Sequence, residues 1–233
     1  FATPPVDGVF QEYVAHEADL CFKLPENVST LEGALIEPLA VGFHAAIQGG
    51  ARIGQTAVVM GAGCIGLVSM MALKAMGVSN VYIVDIMEKR LEKALELGAT
   101  GIINAKEKNA IEEVMKITNN NGCDLVIETA GTEITTVQAI HMAKKGSNIV
   151  LVGYSKSGEM TLPMSLVLDK ELTFKTVFRY RHIYNMAIEA VASGKVNLKG
   201  IITNEFDLDD VQKAMDYSVN NKADIVKAVI KIR

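Results

Sequence analysis

Three glycines in the first third of the chain have the spacing of a phosphate-binding turn. An apolar stretch runs into Gly61, Gly63 and Gly66, and a helical pattern follows. Gly61 permits a tight turn out of a strand, Gly63 lets the backbone approach a pyrophosphate, and Gly66 lets the helix pack closely on the sheet. The first N–H groups of that helix, which include those of Cys64 and Ile65, are expected to face the phosphates. The spacing therefore predicts a dinucleotide-binding turn.

A carboxylate follows the next strand at the spacing that dinucleotide-binding units use. Residues 81–84 form an apolar run that ends at Asp85, nineteen positions after Gly66. An acid about 20 residues beyond the turn binds the 2′-hydroxyl of the adenosine ribose, and its charge repels a 2′-phosphate. Residues 85–88 also fit a capping box for the next helix, and both roles are compatible. We favour the ribose role, which predicts NAD rather than NADP as the cofactor.

The composition excludes several classes of function. The 233 residues are 49% hydrophobic and 21% charged, which is enough for one full domain and part of another. A formal net charge of −4 gives no basic footprint, so nucleic acid is not an expected partner. No apolar run reaches the roughly 18 residues that span a bilayer, and no signal-peptide pattern is present. We therefore expect a cytoplasmic protein with no membrane partner, whose three widely spaced cysteines are free thiols.

Strands and helices alternate along the middle of the chain. Further runs rich in Val, Ile and Leu predict strands at residues 101–103, 124–128, 148–152 and 172–178. Helical periodicity predicts helices at residues 110–118 and 132–145, the second capped by Gly146. This alternation predicts an α/β protein with a doubly wound, parallel (Rossmann) sheet.

The two ends of the chain have a different pattern. Residues 1–37 predict strand and loop, with an alternating stretch at residues 9–14. The C-terminal part predicts two amphipathic helices and a last strand, at residues 183–192, 208–217 and 225–230. Both ends together suggest one partial domain built around an inserted nucleotide-binding domain. The expected division is residues 1–37, 38–178 and 179–233.

Several short runs outside the glycine turn carry a resemblance to a known family. They are Ala-Thr-Pro-Pro-Val-Asp-Gly at residues 2–8, Lys-Leu-Pro at 23–25, Gly-Ala-Leu-Ile-Glu-Pro-Leu at 33–39 and Phe-Arg-Tyr at 178–180. With them the chain resembles the medium-chain zinc-dependent alcohol dehydrogenases, and more narrowly the sorbitol (polyol) dehydrogenases, over essentially its whole length. The resemblance implies a Rossmann domain joined to a partial GroES-like, β-rich catalytic domain. It also implies the NAD- and zinc-dependent oxidation of a polyol to a ketose, with zinc polarising the substrate oxygen.

The resemblance assigns three residues to the chemistry. In the similar enzymes the counterpart of Glu37 lies beside the zinc and contacts its water, and the counterparts of Arg179 and Tyr180 hydrogen-bond the polyol hydroxyls. Without the resemblance, Glu37 would be a carboxylate near a helix N-terminus, with Pro38 at the first helical position. The family's zinc ligands, a cysteine and a His-Glu pair, match no residue of this sequence, so they are expected ahead of residue 1. We therefore expect this chain by itself to bind the cofactor and to oxidise polyols negligibly.

The resemblance also extends the predicted cofactor site. Arg90 resembles the family's adenosine-side arginine, and Val152, Gly153 and Phe178 are implied to line the nicotinamide pocket. Because family members are dimers or tetramers, the strand at residues 172–178 is expected at a sheet edge, paired with its copy across a two-fold axis. The expected partners are a small polyol and further copies of the chain.

Two other functions stay open. One is a non-catalytic NAD-binding or structural protein, because the zinc-ligand segment is not in the sequence. The other is a zinc-independent quinone reductase of the same broad fold that uses NADPH. Asp85 argues against NADPH, and Glu37 together with Arg179 and Tyr180 argues against both alternatives.

Overall fold

A six-stranded parallel sheet forms the centre of the computed structural model, which describes residues 7–232. The strands are β1 Thr56–Met60, β2 Asn80–Asp85, β3 Gly101–Asn104, β4 Cys123–Glu128, β5 Ala143–Leu151 and β6 Thr173–Thr176. Their order is β3-β2-β1-β4-β5-β6, and every neighbouring pair is parallel. The predicted doubly wound α/β fold is therefore confirmed, and the strand order reverses between β1 and β4. Residues 2–6 of the first family-like run lie outside the described residues.

Helices occupy much of the chain before, between and after these strands. They are α1 Thr30–Gly33, α2 Ile36–Gln48, α3 Cys64–Ala75, α4 Glu88–Glu96, α5 Ala110–Ile117, α6 Glu133–Met142, α7 Met164–Asp169, α8 Tyr184–Ala192 and α9 Val211–Asn220. Within residues 7–232, no helix is both long enough and apolar enough to cross a membrane.

The sheet is buried on both faces, as β1 illustrates. Ala57 and Val59 belong to an apolar cluster with residues of α2, α3 and α8, whereas Val58 and Met60 belong to a second cluster with residues of α5 and α6. Successive side chains of a strand point to opposite faces of the sheet. Burial on both faces therefore explains why the strands are near-continuous apolar runs instead of alternating ones.

A second, smaller sheet is formed by the C-terminal part of the chain. Its strands, β7 Ile202–Asp207 and β8 Lys227–Lys231, pair in parallel, and α9 packs against both. The predicted helix at residues 208–217 begins with a 3-10 turn, Leu208–Asp210, and its α-helical part extends further than predicted, to Asn220. Apart from the end of α6, the start of β5 and residues 7–37, the remaining predicted elements agree with the structure to within a few residues at their ends.

The predicted end of the helix at residues 132–145 is wrong. Helix α6 ends at Met142, and the chain continues directly into β5. The Nζ of Lys170 donates to three carbonyl oxygens at this end of the helix, those of Ile140, His141 and Ala143. Gly146 does not cap the helix but lies inside β5 with φ +75°. A lysine distant in sequence thus replaces the glycine cap that local spacing predicted.

Residues 7–37 also differ from the prediction of strand and loop. The alternating stretch at residues 9–14 forms no strand, and a short helix, α1, forms instead at Thr30–Gly33. Ser29 caps this helix by accepting from the N–H of Glu32, whose carboxylate accepts in return from the N–H of Ser29. The spacing of these two residues is a capping-box signal that the sequence contained. Pro38 is the third residue of α2, not the first.

Candidate cofactor and substrate site

The glycine turn after β1 has a geometry that requires glycine at two positions. Gly61 has φ +102°, and its N–H donates to the carbonyl oxygen of Val84 at 2.7 Å. A Cβ at Gly66 would lie 1.8 Å from the carbonyl oxygen of Gly61, which no side chain can tolerate. A Cβ at Gly63 would instead face open space, with Nη1 of Arg90 as its nearest neighbour at 4.0 Å. The turn is therefore tight at both ends and open at Gly63.

The helix that follows the turn presents an uncapped N-terminus. Helix α3 begins at Cys64, with Gly63 as its N-cap, and no side chain caps it. Its first N–H groups, including those of Cys64 and Ile65, are thus not used by a capping side chain, which suits an anionic ligand. Cys64 is partly buried, and burial raises the pKa of its thiol. The thiol is therefore a neutral group beside the turn.

Asp85 joins the end of β2 to the glycine turn. Its Oδ2 accepts from the N–H of Ala62 at 2.6 Å, and its Oδ1 accepts from the N–H groups of Ile86 and Met87 at 2.7 and 2.9 Å. Helix α4 begins only at Glu88, and its N-cap, Met87, makes no side-chain cap. The capping-box prediction for residues 85–88 is therefore wrong, because the carboxylate binds the turn and not the helix.

A cleft of about 340 Å³ opens beside this carboxylate. Gly61, Asp85 and Ala130 line it, and so do Ile86 and Ile134, whose side chains are 52% and 71% exposed. The Asp85 cleft thus has a fixed carboxylate at one side and exposed apolar side chains around it. It lies at the carboxyl ends of β2, β1 and β4, where doubly wound sheets bind their ligands.

Arg90 links this region to the small C-terminal sheet. Its Nη2 donates to the carbonyl oxygen of Lys222 and, at 3.4 Å, to that of Ile225. The neighbouring Lys89 forms an ion pair with Asp224. Helix α4 is therefore tied to the segment just before β8, and the guanidinium of Arg90 also approaches Gly63 in the turn.

Val152 and Gly153, the predicted nicotinamide walls, are held by the end of β4. Their N–H groups donate to the carbonyl oxygen of Glu128 at 2.8 and 3.1 Å. A Cβ at Gly153 would lie 2.2 Å from the nitrogen of Gly131, so the loop after β4 passes directly against the end of β5. The close contact requires glycine at position 153.

Glu128 is a buried acid next to the candidate site that was not predicted from the sequence. Its side chain is fully buried, and Oε1 accepts from the N–H groups of Ala130 and Gly131 and from the hydroxyl of Thr135, at 2.9, 3.0 and 2.8 Å. Burial raises the pKa of Glu128, although these hydrogen bonds act in the opposite direction. An acid at the end of an otherwise apolar strand was the available signal.

A second group of polar side chains brings Glu37 and Tyr180 together. The hydroxyls of Tyr180 and Tyr184 lie 3.0 Å apart, and Phe22 stacks on the Tyr184 ring at 4.8 Å between centroids. Burial, the hydrogen bond with Tyr184 and the charge of Glu37 all raise the pKa of Tyr180. Tyr180 therefore stays protonated and can donate a hydrogen bond. Tyr184 was not predicted as a member of this group.

Arg179 and Phe178 contact each other and are not part of the group that Glu37, Tyr180 and Tyr184 form, which is called the Glu37 group below. The guanidinium of Arg179 lies over the Phe178 ring at 5.1 Å from its centroid, and Phe178 is 69% exposed. Tyr154 makes an edge contact with the same ring at 6.2 Å between centroids. In the described part of the chain, Arg179 makes no hydrogen bond or ion pair with Glu37 or Tyr180. The three predicted catalytic residues are thus not one hydrogen-bonded cluster.

No metal centre is formed by the side chains that the structure describes. Within residues 7–232, no group of three or more His, Cys, Asp or Glu side chains comes together in a way that could hold a metal ion. The cysteines at positions 21, 64 and 123 are free thiols, as predicted.

Comparison with known proteins gives consistent matches. A family model described as zinc-binding dehydrogenase matches residues 64–193. The chain is 42% identical over 229 residues to YdjJ, an uncharacterized zinc-type alcohol dehydrogenase-like protein of Escherichia coli (strain K12). It is 37% identical over 229 residues to sorbitol dehydrogenase of Bacillus subtilis (strain 168). Each alignment covers 98% of this chain and 65% of the relative, so the chain spans about two thirds of their length.

Solved structures that match this chain are also described as dehydrogenases. An Escherichia coli oxidoreductase/dehydrogenase of unknown specificity, involved in membrane biogenesis, matches with a TM-score of 0.96 at 40% identity, over 100% of this chain and 66% of that one. A short chain alcohol dehydrogenase from Escherichia coli CFT073, complexed with NADH, matches at 26% identity with a TM-score of 0.85, over 92% of this chain and 63% of that one. A Sinorhizobium meliloti 1021 protein described as a zinc-binding dehydrogenase, bound to NADP, matches at 27% identity with a TM-score of 0.88. The match covers 96% of this chain and 66% of that one.

The family match extends from the first residue of α3, inside the glycine turn, to the residue after α8. It covers more than half of the chain, and the two relatives named above are a zinc-type alcohol dehydrogenase-like protein and a sorbitol dehydrogenase. The chain therefore belongs to the zinc-binding dehydrogenase family.

Proposed function

We propose that this chain provides the NAD site and part of the substrate site of a dehydrogenase that oxidises a secondary alcohol of a polyol to a ketone. The observation that carries the cofactor assignment is the Asp85 carboxylate, which is fixed between the glycine turn and the Asp85 cleft. Three backbone N–H groups occupy three of its roughly four lone-pair positions. One position is left to accept from a ribose hydroxyl.

The rest of the site fits the other parts of a dinucleotide. The open space at Gly63 and the uncapped N-terminus of α3 suit a pyrophosphate. The exposed apolar side chains of Ile86 and Ile134 suit the flat faces of an adenine. The nicotinamide would then extend toward the ends of β4 and β5, where Val152 and Gly153 lie.

The choice of NAD over NADP depends on the charge at Asp85. One relative of known structure is complexed with NADH and another is bound to NADP, so the fold accommodates both cofactors. A carboxylate that is already fixed by three N–H donors cannot move away from a 2′-phosphate without losing those bonds. The repulsion would therefore act fully on NADP.

The Glu37 group provides the polar part of the proposed substrate site. Glu37 can accept a hydrogen bond and Tyr180, kept protonated, can donate one, which is what two neighbouring hydroxyls of a polyol need. NAD, when bound, accepts the hydride from the alcohol carbon. The family name implies zinc, but the described residues do not fit a zinc site, and no step of the reaction is assigned to it.

The substrate proposal is tested by following NADH formation with sorbitol, xylitol and a simple secondary alcohol in the protein that carries this chain. We expect Tyr180→Phe to lower kcat/KM for the polyols about tenfold, as for the loss of one hydrogen bond to substrate. The same change should affect the simple alcohol less. Tyr13→Phe is the matched control, because Tyr13 is 87% exposed and far from this group in sequence. An equal loss for all three alcohols, or polyols no better than the simple alcohol, would contradict the proposal.

A further inference from the structure

Among the described residues, the buried carboxylate of Glu128 has no cationic partner. Its side chain is fully buried, and its contacts are the N–H groups of Ala130 and Gly131 and the hydroxyl of Thr135. In the part of the chain that the structure describes, none of the ion pairs includes Glu128. All of these contacts donate hydrogen, so they favour the ionised form. When ionised, Glu128 therefore brings into the interior a negative charge that no cation of the described residues offsets.

This charge lies directly behind the proposed nicotinamide wall. A Cβ built on Gly153 would be 3.0 Å from Oε2 of Glu128. The N–H of Gly153 also donates to the backbone carbonyl oxygen of Glu128. Glu128 is the last residue of β4, next to β1 at the point where the strand order reverses. The carboxylate is thus close to the proposed cofactor site, and its side chain is fully buried beside Gly153.

The two forms of a nicotinamide cofactor differ in charge at one place. The oxidised ring carries a positive charge and the reduced ring is neutral, while the phosphates, riboses and adenine are the same in both. A fixed buried charge acts over longer distances than one in water, because little solvent screens it. A carboxylate behind the ring therefore stabilises the oxidised form and leaves the reduced form almost unaffected.

We propose that Glu128 sets the preference of this site for the oxidised over the reduced cofactor. The inference rests on the proposed NAD site and adds a residue that touches neither the substrate nor the cofactor. Glu128 acts on the redox equilibrium of the bound cofactor through its charge, and on the shape of the site through its bonds to the loop after β4.

The test compares the dissociation constants of NAD⁺ and NADH for the chain and for Glu128→Gln. Glutamine has nearly the same shape, and its Oε1 can keep accepting from Ala130, Gly131 and Thr135. We expect the ratio Kd(NAD⁺)/Kd(NADH) to rise about three- to tenfold, mainly through weaker NAD⁺ binding. Glu159→Gln is the matched control, because Glu159 is exposed. If the substitution only disturbed the structure, it would weaken the binding of NAD⁺ and NADH equally, and the ratio of the two dissociation constants would not change.

A second pair of variants tests the same proposal without changing Glu128, in case Glu128→Gln does not fold. Thr135 is only partly buried and its hydroxyl lies 2.8 Å from Oε1 of Glu128. Thr135→Lys brings a cation to the carboxylate, whereas Thr135→Met adds similar bulk without charge. We expect the ratio to rise in Thr135→Lys and to stay constant in Thr135→Met. An unchanged ratio in both Glu128→Gln and Thr135→Lys overturns the role of Glu128, and no binding of either form by the unmodified chain overturns the proposed NAD site itself.

Discussion

Two carboxylates at the ends of neighbouring strands have different surroundings. Asp85 ends β2, is partly exposed and accepts from three backbone N–H groups around the glycine turn. Glu128 ends β4, is fully buried and holds the loop that continues toward the cleft. The strands that carry them lie on either side of β1. One acid is thus accessible to a ligand, and the other is buried behind the loop after β4.

The raised pKa of Glu128 has a consequence for stability that can be measured. A folded-state pKa above the ordinary 4.5 means that the folded chain binds this proton more tightly than the unfolded chain. The stability contributed by Glu128 is therefore complete below about pH 4 and is lost as the pH rises through the folded pKa. Glutamine at this position does not titrate. The free energy of unfolding of both proteins can be measured with urea at about pH 4 and about pH 7. Relative to the parent, Glu128→Gln should be more stable at the higher pH than at the lower one.

Other titrating groups are common to both proteins in that comparison and cancel in the difference. Glu159→Gln again serves as the control, because it makes the same substitution at an exposed position. A difference that stays flat with pH, or that favours the parent at the higher pH, would show that Glu128 is not destabilised by its burial.

At the scale of elements, the structure differs from the sequence prediction where a distant residue decides the boundary. The apolar strands and the glycine turn were predictable, because burial on both faces and a φ of +102° at Gly61 restrict the residue types strongly. The end of α6 was not, since Lys170 contacts it from the end of α7. The same limit applies to the proposed substrate site, because Tyr184 and Phe22 come into contact only in the folded chain.

Lys170 is expected to stabilise the connection from α6 to β5. Its ammonium donates to three carbonyl oxygens, and a cation at a helix C-terminus is favourable. Lys170→Met should keep the apolar part of the side chain and lower the free energy of unfolding by about 1–3 kcal/mol. Lys106→Met, at an exposed position in the turn after β3, should change it by less than about 0.5 kcal/mol. Equal effects of the two substitutions, measured by urea unfolding, would argue against this role of Lys170.

At the scale of the whole molecule, the fold brings three separate parts of the chain to one edge of the sheet. The turn after β1, the end of β2 and the loop after β4 all contribute to the Asp85 cleft, and Arg90 ties the same edge to the segment before β8. In the strand order, β6 lies at one edge of the six-stranded sheet, as predicted from the sequence. Pairing of β6 with a second copy, and hence a dimer or tetramer, stays a prediction.

The preference between NAD and NADP tests the account most directly, because it depends on the residue that joins the turn to the cleft. Calorimetric titration of the chain with each cofactor should give NAD binding that is tighter by about tenfold or more, the cost of bringing a phosphate to a fixed carboxylate. Asp85→Asn should narrow this preference, whereas Asp169→Asn, at an exposed position at the end of α7, should leave it unchanged. NADP binding as tight as NAD, or a preference that Asp85→Asn does not alter, would contradict the assignment.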